Sequence, residues 1–238
     1  MTWSTGLASA SPGTAADRAF QTLRSEIIEG ALAPGAPLAE VEQAERLGIS
    51  RTPVRSAFAR LIAAGLATER GPRSLVVSHI DADEVRALFD LRHALDEQAA
   101  RMAAAHARDG ASADAPAVRA RFQALADRFR DVTPATLQRD DPQRHHYYAL
   151  VAEFDAALDD ALTSSPYLSA AIASTRVHLA RVRRLARDDD DRLAQSAAEH
   201  GAIARAIADG DPDRAAAATR LHLHEALTSI HRHLKETP

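Results

Sequence analysis

The sequence predicts a mostly α-helical protein in two parts: three helices with a small β-hairpin wing, then an all-α bundle. Three observations predict it. Seven of the ten glycines lie in the first 71 of 238 residues, so short elements with tight turns come first and long helices follow. Alanine is abundant while aromatic residues are only 4% of the chain, and Ala-rich sequence favours helix. Charge divides at the same place: residues 1–78 hold eight arginines against seven acids, and residues 79–238 hold 21 basic against 26 acidic residues.

The elements follow in order. Residues 1–14, rich in Ser, Gly, Thr and Ala, read as a disordered tail. Phe20, Leu23, Ile27 and Ile28 recur at helical spacing and predict a first helix over 15–29, stopped by Gly30. Pro34, Gly35 and Pro37 fill the turn that follows. A second helix fits 39–47 and ends at Gly48. Ser50 is a natural N-cap for a third, which carries Val54, Phe58 and Leu61 and runs to Gly65. Residues 66–70 and 75–78 read as a hairpin around Gly71-Pro72. This is the order of a winged helix-turn-helix, assigned to 15–78. The second part, 82–234, reads as helices at 82–107, 115–131, 142–163, 167–187, 190–209 and 211–234. Asp211 is the expected N-cap of the last and Pro212 its first residue. The acidic run 188–191 reads as a solvated loop between helices.

Composition excludes several classes. No apolar run approaches the roughly 18 residues of a membrane span, and the first twenty residues lack the basic-then-apolar pattern of a secretory signal. With no cysteine there is no disulfide framework or thiolate metal site, so a cytoplasmic protein is expected. Lys235 is the only lysine, so anion recognition falls to arginine and its planar fork. No nucleophile constellation, Gly-rich phosphate loop or HExxH string is present, and an enzyme is not expected.

The first part closely resembles the GntR family of bacterial transcription regulators. The resemblance is carried by IIEGALAPGAPL (27–38), ERLGISRTPVRSAFARLIAAGLA (45–67) and the wing around Gly71. The second part resembles the FadR-type C-terminal domain, a six- or seven-helix bundle that binds effectors. Its matches are Leu91-Arg92 with Leu95, EFDAAL (153–158), RVRRL (181–185), Glu199-His200 with Ile203, Gly210-Asp211 and RLHL (220–223).

Arg51 and Arg55 are four apart and project from one face of the third helix, with Thr52 beside them. At the N-terminal end of a helix lying in a major groove, such forks match the O6 and N7 acceptors of guanine. Ser50 and the helix N-terminus suit a backbone phosphate, and Gly71 at the wing tip allows close approach to the minor groove. By the resemblance, Arg51, Thr52, Arg55 and Gly71 fall on DNA-contact positions. Some relatives place an Arg in the second helix where Val41 stands here, flanked by Glu40 and Glu42, so fewer contacts are expected there.

The resemblance also raises a metal. Related FadR-type domains often bind a divalent ion through one Asp and three His. Here the last two His positions map to His200 and His222, the first His position is Asp155, and the Asp position is Val151. Asp155, His200 and His222 with water or a carboxylate can hold Zn²⁺ or a similar ion. The alternative is a metal-free pocket in which Asp155 pairs with a protonated His or meets the effector directly. Arg92 matches an Arg that faces the effector cavity in several relatives, or else forms a salt bridge with Asp96 or Asp155. Of Arg181, Arg183 and Arg184, not all can face inward, and one, Arg184 or Arg181, joins the cavity.

These readings imply a homodimeric, ligand-responsive repressor that binds a palindromic operator in double-stranded DNA. Its C-terminal bundle senses a small organic or sugar acid, with or without a divalent metal. The alternative is an effector-independent DNA-binding regulator.

Overall fold

The computed structural model describes residues 13–71, 74–138, 144–162, 164–183 and 189–236. The chain falls into two units, the first ending at Ile80 and the second starting at Asp81.

In the first unit, α1 spans Ala15–Glu29. It opens on a capping box in which the Asp17 amide donates to Thr14 Oγ1 at 3.1 Å and the Thr14 amide donates to Asp17 Oδ2 at 2.9 Å. Its buried line is Ala19, Leu23 and Ile27; Phe20 is half-buried and lies under the Arg60 guanidinium at 4.0 Å. Gly30 ends the helix at φ 76°, a left-handed conformation that suits glycine. Helix α2 spans Glu40–Leu47, and α3 spans Arg51–Ala63 with Val54, Ala57, Phe58 and Leu61 buried. Ser50 occupies the N-cap position, but its hydroxyl makes no capping bond. The expected cap is therefore positional only, and a nearby anion can take up the amides of the first turn.

Strands β1 (Ala67–Glu69) and β2 (Leu75–Val77) pair antiparallel, with Thr68 opposite Val76. A further stretch of chain pairs with β2 through Pro37, opposite Val76. The Leu38 amide donates to Leu75 O at 2.8 Å and the Val77 amide to Ala36 O at 2.9 Å, so the connection between α1 and α2 lies along β2. Residues 1–12 and 72–73, which include most of the expected tail and the tip beyond Gly71, lie outside the described residues.

The second unit consists of α4 (Ala82–Arg108), α5 (Ala115–Arg130), α6 (Pro134–Gln138), α7 (His145–Ala161), α8 (Pro166–Arg183), α9 (Asp190–Ala208) and α10 (Pro212–Glu236). The five-residue α6 was not anticipated; it is opened by Thr133 and Thr136, which bond reciprocally. Ala99, Ala100, Ala103, Ala104 and Ala107 form a fully buried stripe on α4. Small side chains let helices approach closely, and the larger volume is supplied by Phe122, Phe129 and Phe154, which meet edge to face with centroids 5.9 and 6.0 Å apart.

The acidic run departs from expectation. Asp189 caps α9 by accepting from the Arg192 amide at 2.9 Å, and Asp190 and Asp191 sit in the first turn. There the positive end of the helix dipole stabilises them, and Asp190 also accepts from Arg144 at 2.7 Å. The residues are structural rather than a solvated loop; Asp188 lies outside the described residues.

Gly210 joins α9 to α10 at φ 70°, and a Cβ added there would lie 3.0 Å from Arg108 Cβ. Asp211 then caps α10 by accepting from the Arg214 amide at 3.0 Å. Gly210→Ala is expected to cost about 1–3 kcal/mol of stability through left-handed strain and crowding, read from urea unfolding by circular dichroism. Gly110→Ala, which meets open space, is expected to change it by less than about 0.5 kcal/mol. Equal effects would remove the strain argument.

Candidate functional site

Among the described residues, one place in each unit gathers the side chains considered as a site. In the first, the tight turn at Gly48 (φ 65°) sets the start of α3 against the start of α2. Arg51 and Arg55 leave α3 on one face, with side chains 60% and 68% exposed. Both guanidinium groups meet Glu40, the first residue of α2. Arg55 Nε donates to Oε1 at 2.9 Å, and Arg55 Nη2 donates to Oε2 at 3.0 Å. Arg51 Nη2 donates to the same Oε2 at 3.1 Å. Hydrogen bonding to Arg55, then to Arg51, holds the Glu40 carboxyl down at about 2, and Glu40 in turn raises Arg55.

An open groove runs between α3 and the hairpin, lined among others by Glu40, Arg51, Arg55, Ile62, Gly71 and Ser74. Gly71 stands at φ 91° with open space where a Cβ would be. Arg51, Arg55 and Gly71 are thus brought to one concave surface, while Ser50 and Thr52 are exposed residues outside the groove lining. Val41 is 51% exposed beside Glu40. In the sequence Glu40 stands out only as a flank of Val41. Its reach to two arginines eleven and fifteen residues away is a tertiary fact that no local pattern encodes.

In the second unit a cavity opens between α4, α7, α8, α9 and α10. Its ionisable lining comes from Arg92 and Asp96 on α4, Asp155 on α7, Arg176 on α8, His200 on α9 and His222 on α10. Arg92 is 7% exposed. Its Nε and Nη2 lie 3.0 and 2.9 Å from Asp96 Oδ2, and its guanidinium stands 5.1 Å from the Phe89 ring. Arg92 thus lines the cavity and pairs with Asp96.

Asp155, His200 and His222 reach this cavity by different routes. His200 is stacked on Phe129 at 5.2 Å, and its Nδ1 lies 2.7 Å from the Ser196 carbonyl, which fixes Nδ1 as the donor. His222 Nδ1 lies 2.7 Å from Glu199 Oε2, and the two imidazole centroids are 4.3 Å apart. Asp155 is turned to a cation instead. Arg176 Nη2 is 3.6 Å from Asp155 Oδ1, and Arg176 Nη1 donates to Asp159 at 2.5 Å. The imidazoles have the outer-shell support that ligating histidines show, yet the carboxylate of the expected set is engaged by a guanidinium. Among the described residues no group of three or more His, Asp or Glu is placed to hold a metal ion. The donor set expected from sequence therefore does not fit a metal as it stands.

Arg176 is the cavity residue that sequence reasoning missed. Its signal was the pair Asp155 and Asp159, one helical turn apart, which puts two carboxylates on one face and calls for a cation opposite. Of the arginines that were expected, Arg184 lies outside the described residues. Arg181 is buried at 5% exposed but is not part of the cavity lining; burial lowers its pKa and the Glu84 charge opposes that shift. Behind His222, Arg192 Nη1 and Nη2 hold Glu199 at 2.9 and 3.0 Å. Burial raises the Glu199 carboxyl, against the pull of Arg192.

Comparison with known proteins follows the same division. The family model described as "Bacterial regulatory proteins, gntR family" matches residues 15–77, and the one described as "FCD domain" matches residues 87–225. An uncharacterized HTH-type transcriptional regulator in an unstable DNA locus of Streptomyces ambofaciens is 28% identical over 219 residues, 92% of this chain and 86% of that one. The HTH-type transcriptional repressor RspR of Escherichia coli strain K12 is 39% identical over 85 residues, 36% of this chain. That match spans 37% of the length of RspR, little more than a third. The solved structure of E. coli McbR/YncC superposes with a TM-score of 0.69 at 17% identity, covering 93% of this chain and 99% of that one, a likeness of fold.

The Arg192–Glu199–His222 chain has a pH signature. A carboxyl raised in the folded state is disfavoured when ionised, so stability falls as pH rises through its folded value. Arg192→Met removes the countercharge and is expected to cost about 3 kcal/mol at pH 8. The deficit should narrow as pH falls through the carboxylate range and Glu199 takes up a proton. A deficit independent of pH in thermal melts between pH 5 and 8 would show that Glu199 is not the group left uncompensated.

Proposed function

The chain belongs to the bacterial regulatory proteins of the gntR family, with an FCD domain after its winged helix-turn-helix, and on that premise we propose that it is a homodimeric repressor released by a small organic or sugar acid. It is a transcriptional regulator, as its family and relatives are. Among the described residues no helix is long and apolar enough to cross a membrane.

The observation that supports operator reading is the exposed pair Arg51 and Arg55 at the start of α3, facing the same groove as Gly71. In this reading α3 enters the major groove and the two guanidinium forks meet guanine edges. The Ser50 end of the helix faces a phosphate, and the wing follows the minor groove. Two copies related by a two-fold axis read a palindrome, which is why a dimer is proposed.

The effector reading is supported by the convergence of Arg92 and Arg176 on one buried cavity with His200 and His222. A guanidinium carries five N–H donors, so it can serve a neighbouring carboxylate and an incoming anion together. The acid is taken directly by these groups in this reading. A metal-assisted version would require Asp155 to leave Arg176. Effector binding shifts the operator equilibrium by its differential affinity for the two states, typically about 1–3 kcal/mol. The ion pairs Arg92–Asp96 and Arg176–Asp159 also favour a second reading, in which internal carboxylates satisfy the cavity and the regulator is effector-independent.

Two measurements test the proposal. Full-length protein should select a two-fold-symmetric duplex from a random-sequence pool, and Arg51→Ala with Arg55→Ala should weaken binding to it by roughly 30-fold or more, from about 1–3 kcal/mol per arginine. Undiminished affinity would end the DNA-reading assignment of this face. A thermal-shift screen of hydroxy acids, dicarboxylates and sugar acids, with chelator-treated and Zn²⁺-supplemented protein, tests the cavity. A hit that survives chelation and disappears in Arg92→Met supports direct capture. A hit only with Zn²⁺ supports the metal version, and no hit in either supports the effector-independent reading.

A further inference from the structure

Glu40 is a carboxylate placed where a DNA-reading surface would ordinarily exclude one. It stands at the start of α2, lines the α3–hairpin groove, and takes hydrogen bonds from both recognition arginines. Its contact with Arg55 is side-on, through Nε and Nη2. A planar guanidinium has a second, end-on fork made by Nη1 and Nη2, and that fork has the spacing that matches guanine O6 and N7. Occupying the first fork fixes the plane and direction of the second. Arg51 is tied to the same carboxylate oxygen by Nη2 alone. One acid thus sets the mutual orientation of two flexible side chains, each otherwise more than half exposed.

We propose that Glu40 is a specificity-determining positioning residue, which holds Arg55, and with it Arg51, in the orientation that reads guanine and which disfavours every other base. Two effects follow from the one carboxylate. Arg55 reaches the duplex already ordered, so a guanine in the right place collects the full bidentate contact. At the same time a negative charge is carried into a groove bounded by phosphates, which weakens binding to any duplex. Where guanine is present the ordered fork outweighs that repulsion. Where it is absent, only the repulsion is left, together with a carboxylate facing base-edge acceptors. Such a residue lowers affinity in general and raises discrimination. The Glu40 carboxyl is held at about 2, so it stays ionised throughout the range in which DNA binding is measured.

This inference rests on the DNA-reading half of the proposed function, and its test separates the two. The probes are the duplex selected by the full-length wild-type protein and a scrambled duplex of equal length, compared by fluorescence anisotropy at fixed salt. Glu40→Gln keeps the size of the side chain and removes its charge. It is expected to bind the scrambled duplex two- to tenfold more tightly and to reduce the ratio of selected to scrambled affinity at least tenfold. A merely structural contact between α2 and α3 would weaken both duplexes together and leave the ratio near that of the wild type, which would overturn the proposal. Glu42→Gln removes the same charge from the same turn, where it acts on Arg46; it should strengthen both duplexes by one factor and leave the ratio intact. A loss of ratio equal to that of Glu40→Gln would make the effect one of charge alone and would also overturn it. In the Arg55→Ala background Glu40→Gln should change the ratio less than twofold, and a full tenfold loss there would show that Glu40 does not act through Arg55. If the wild-type protein selects no sequence at all, the parent reading fails; if it selects one and Glu40→Gln preserves the ratio, only this inference fails.

Discussion

A guanidinium group is planar, stays charged at any ordinary pH, and presents its donors in fixed forks. With lysine at a single position, this chain builds nearly every cationic contact from that one shape. The result is a set of oriented pairs rather than diffuse charge. Arg46 grips Glu26 within the DNA-reading unit, Arg55 grips Glu40 at its edge, and Arg92, Arg176 and Arg192 each face a carboxylate in the helical unit. The surface pairs contribute little to stability. Their weight lies in direction, because each fixes where a side chain's remaining donors point. The proposed function draws on this property at both candidate sites, since a guanine edge and a small carboxylate are planar acceptors that reward a fork already aimed at them.

The helical unit shows how such pairs are reconciled with burial. The alanine stripe of α4 brings backbones close and leaves room for a few large side chains, among them Phe129 and Phe154 around His200. The imidazoles of His200 and His222 are each tied at Nδ1 to an acceptor, one a backbone carbonyl and one a carboxylate held by Arg192. Buried polar groups with fixed partners are costly to rearrange. On the Arg176 side of the cavity the partner carboxylates Asp155 and Asp159 are only partly covered.

Most element boundaries were legible because they are set by local chemistry. Gly30 and Gly48 stop helices in the left-handed conformation, and the Asp211-Pro212 pair opens α10. Local chemistry also explains the misses. Ser50 has the right residue type and position for a cap, but its rotamer makes no bond. The run 188–191 looked repulsive in isolation, and only the α9 dipole with Arg144 makes part of it favourable. The short α6 is too brief to show periodicity. In the sites, Arg51, Arg55, Arg92, His200 and His222 could be singled out from motifs, whereas Glu40 could not. For Arg176 the Asp155–Asp159 spacing calls for a cation without saying which, because the partner lies on another helix.

The pairing of residues 36–38 along β2 joins two pieces of the DNA-reading unit that look independent in sequence. Leu38 is bonded into the hairpin, and the chain reaches Glu40 two residues later. A push on the hairpin therefore has a short mechanical path to the acid that orients the α3 arginines. In the proposed binding mode, with α3 in one duplex groove and the hairpin in the other, the two contacts would be geared to each other, the seating of the first setting the aim of the second. Complexes on mismatched duplexes would then come apart as a whole instead of lingering half bound.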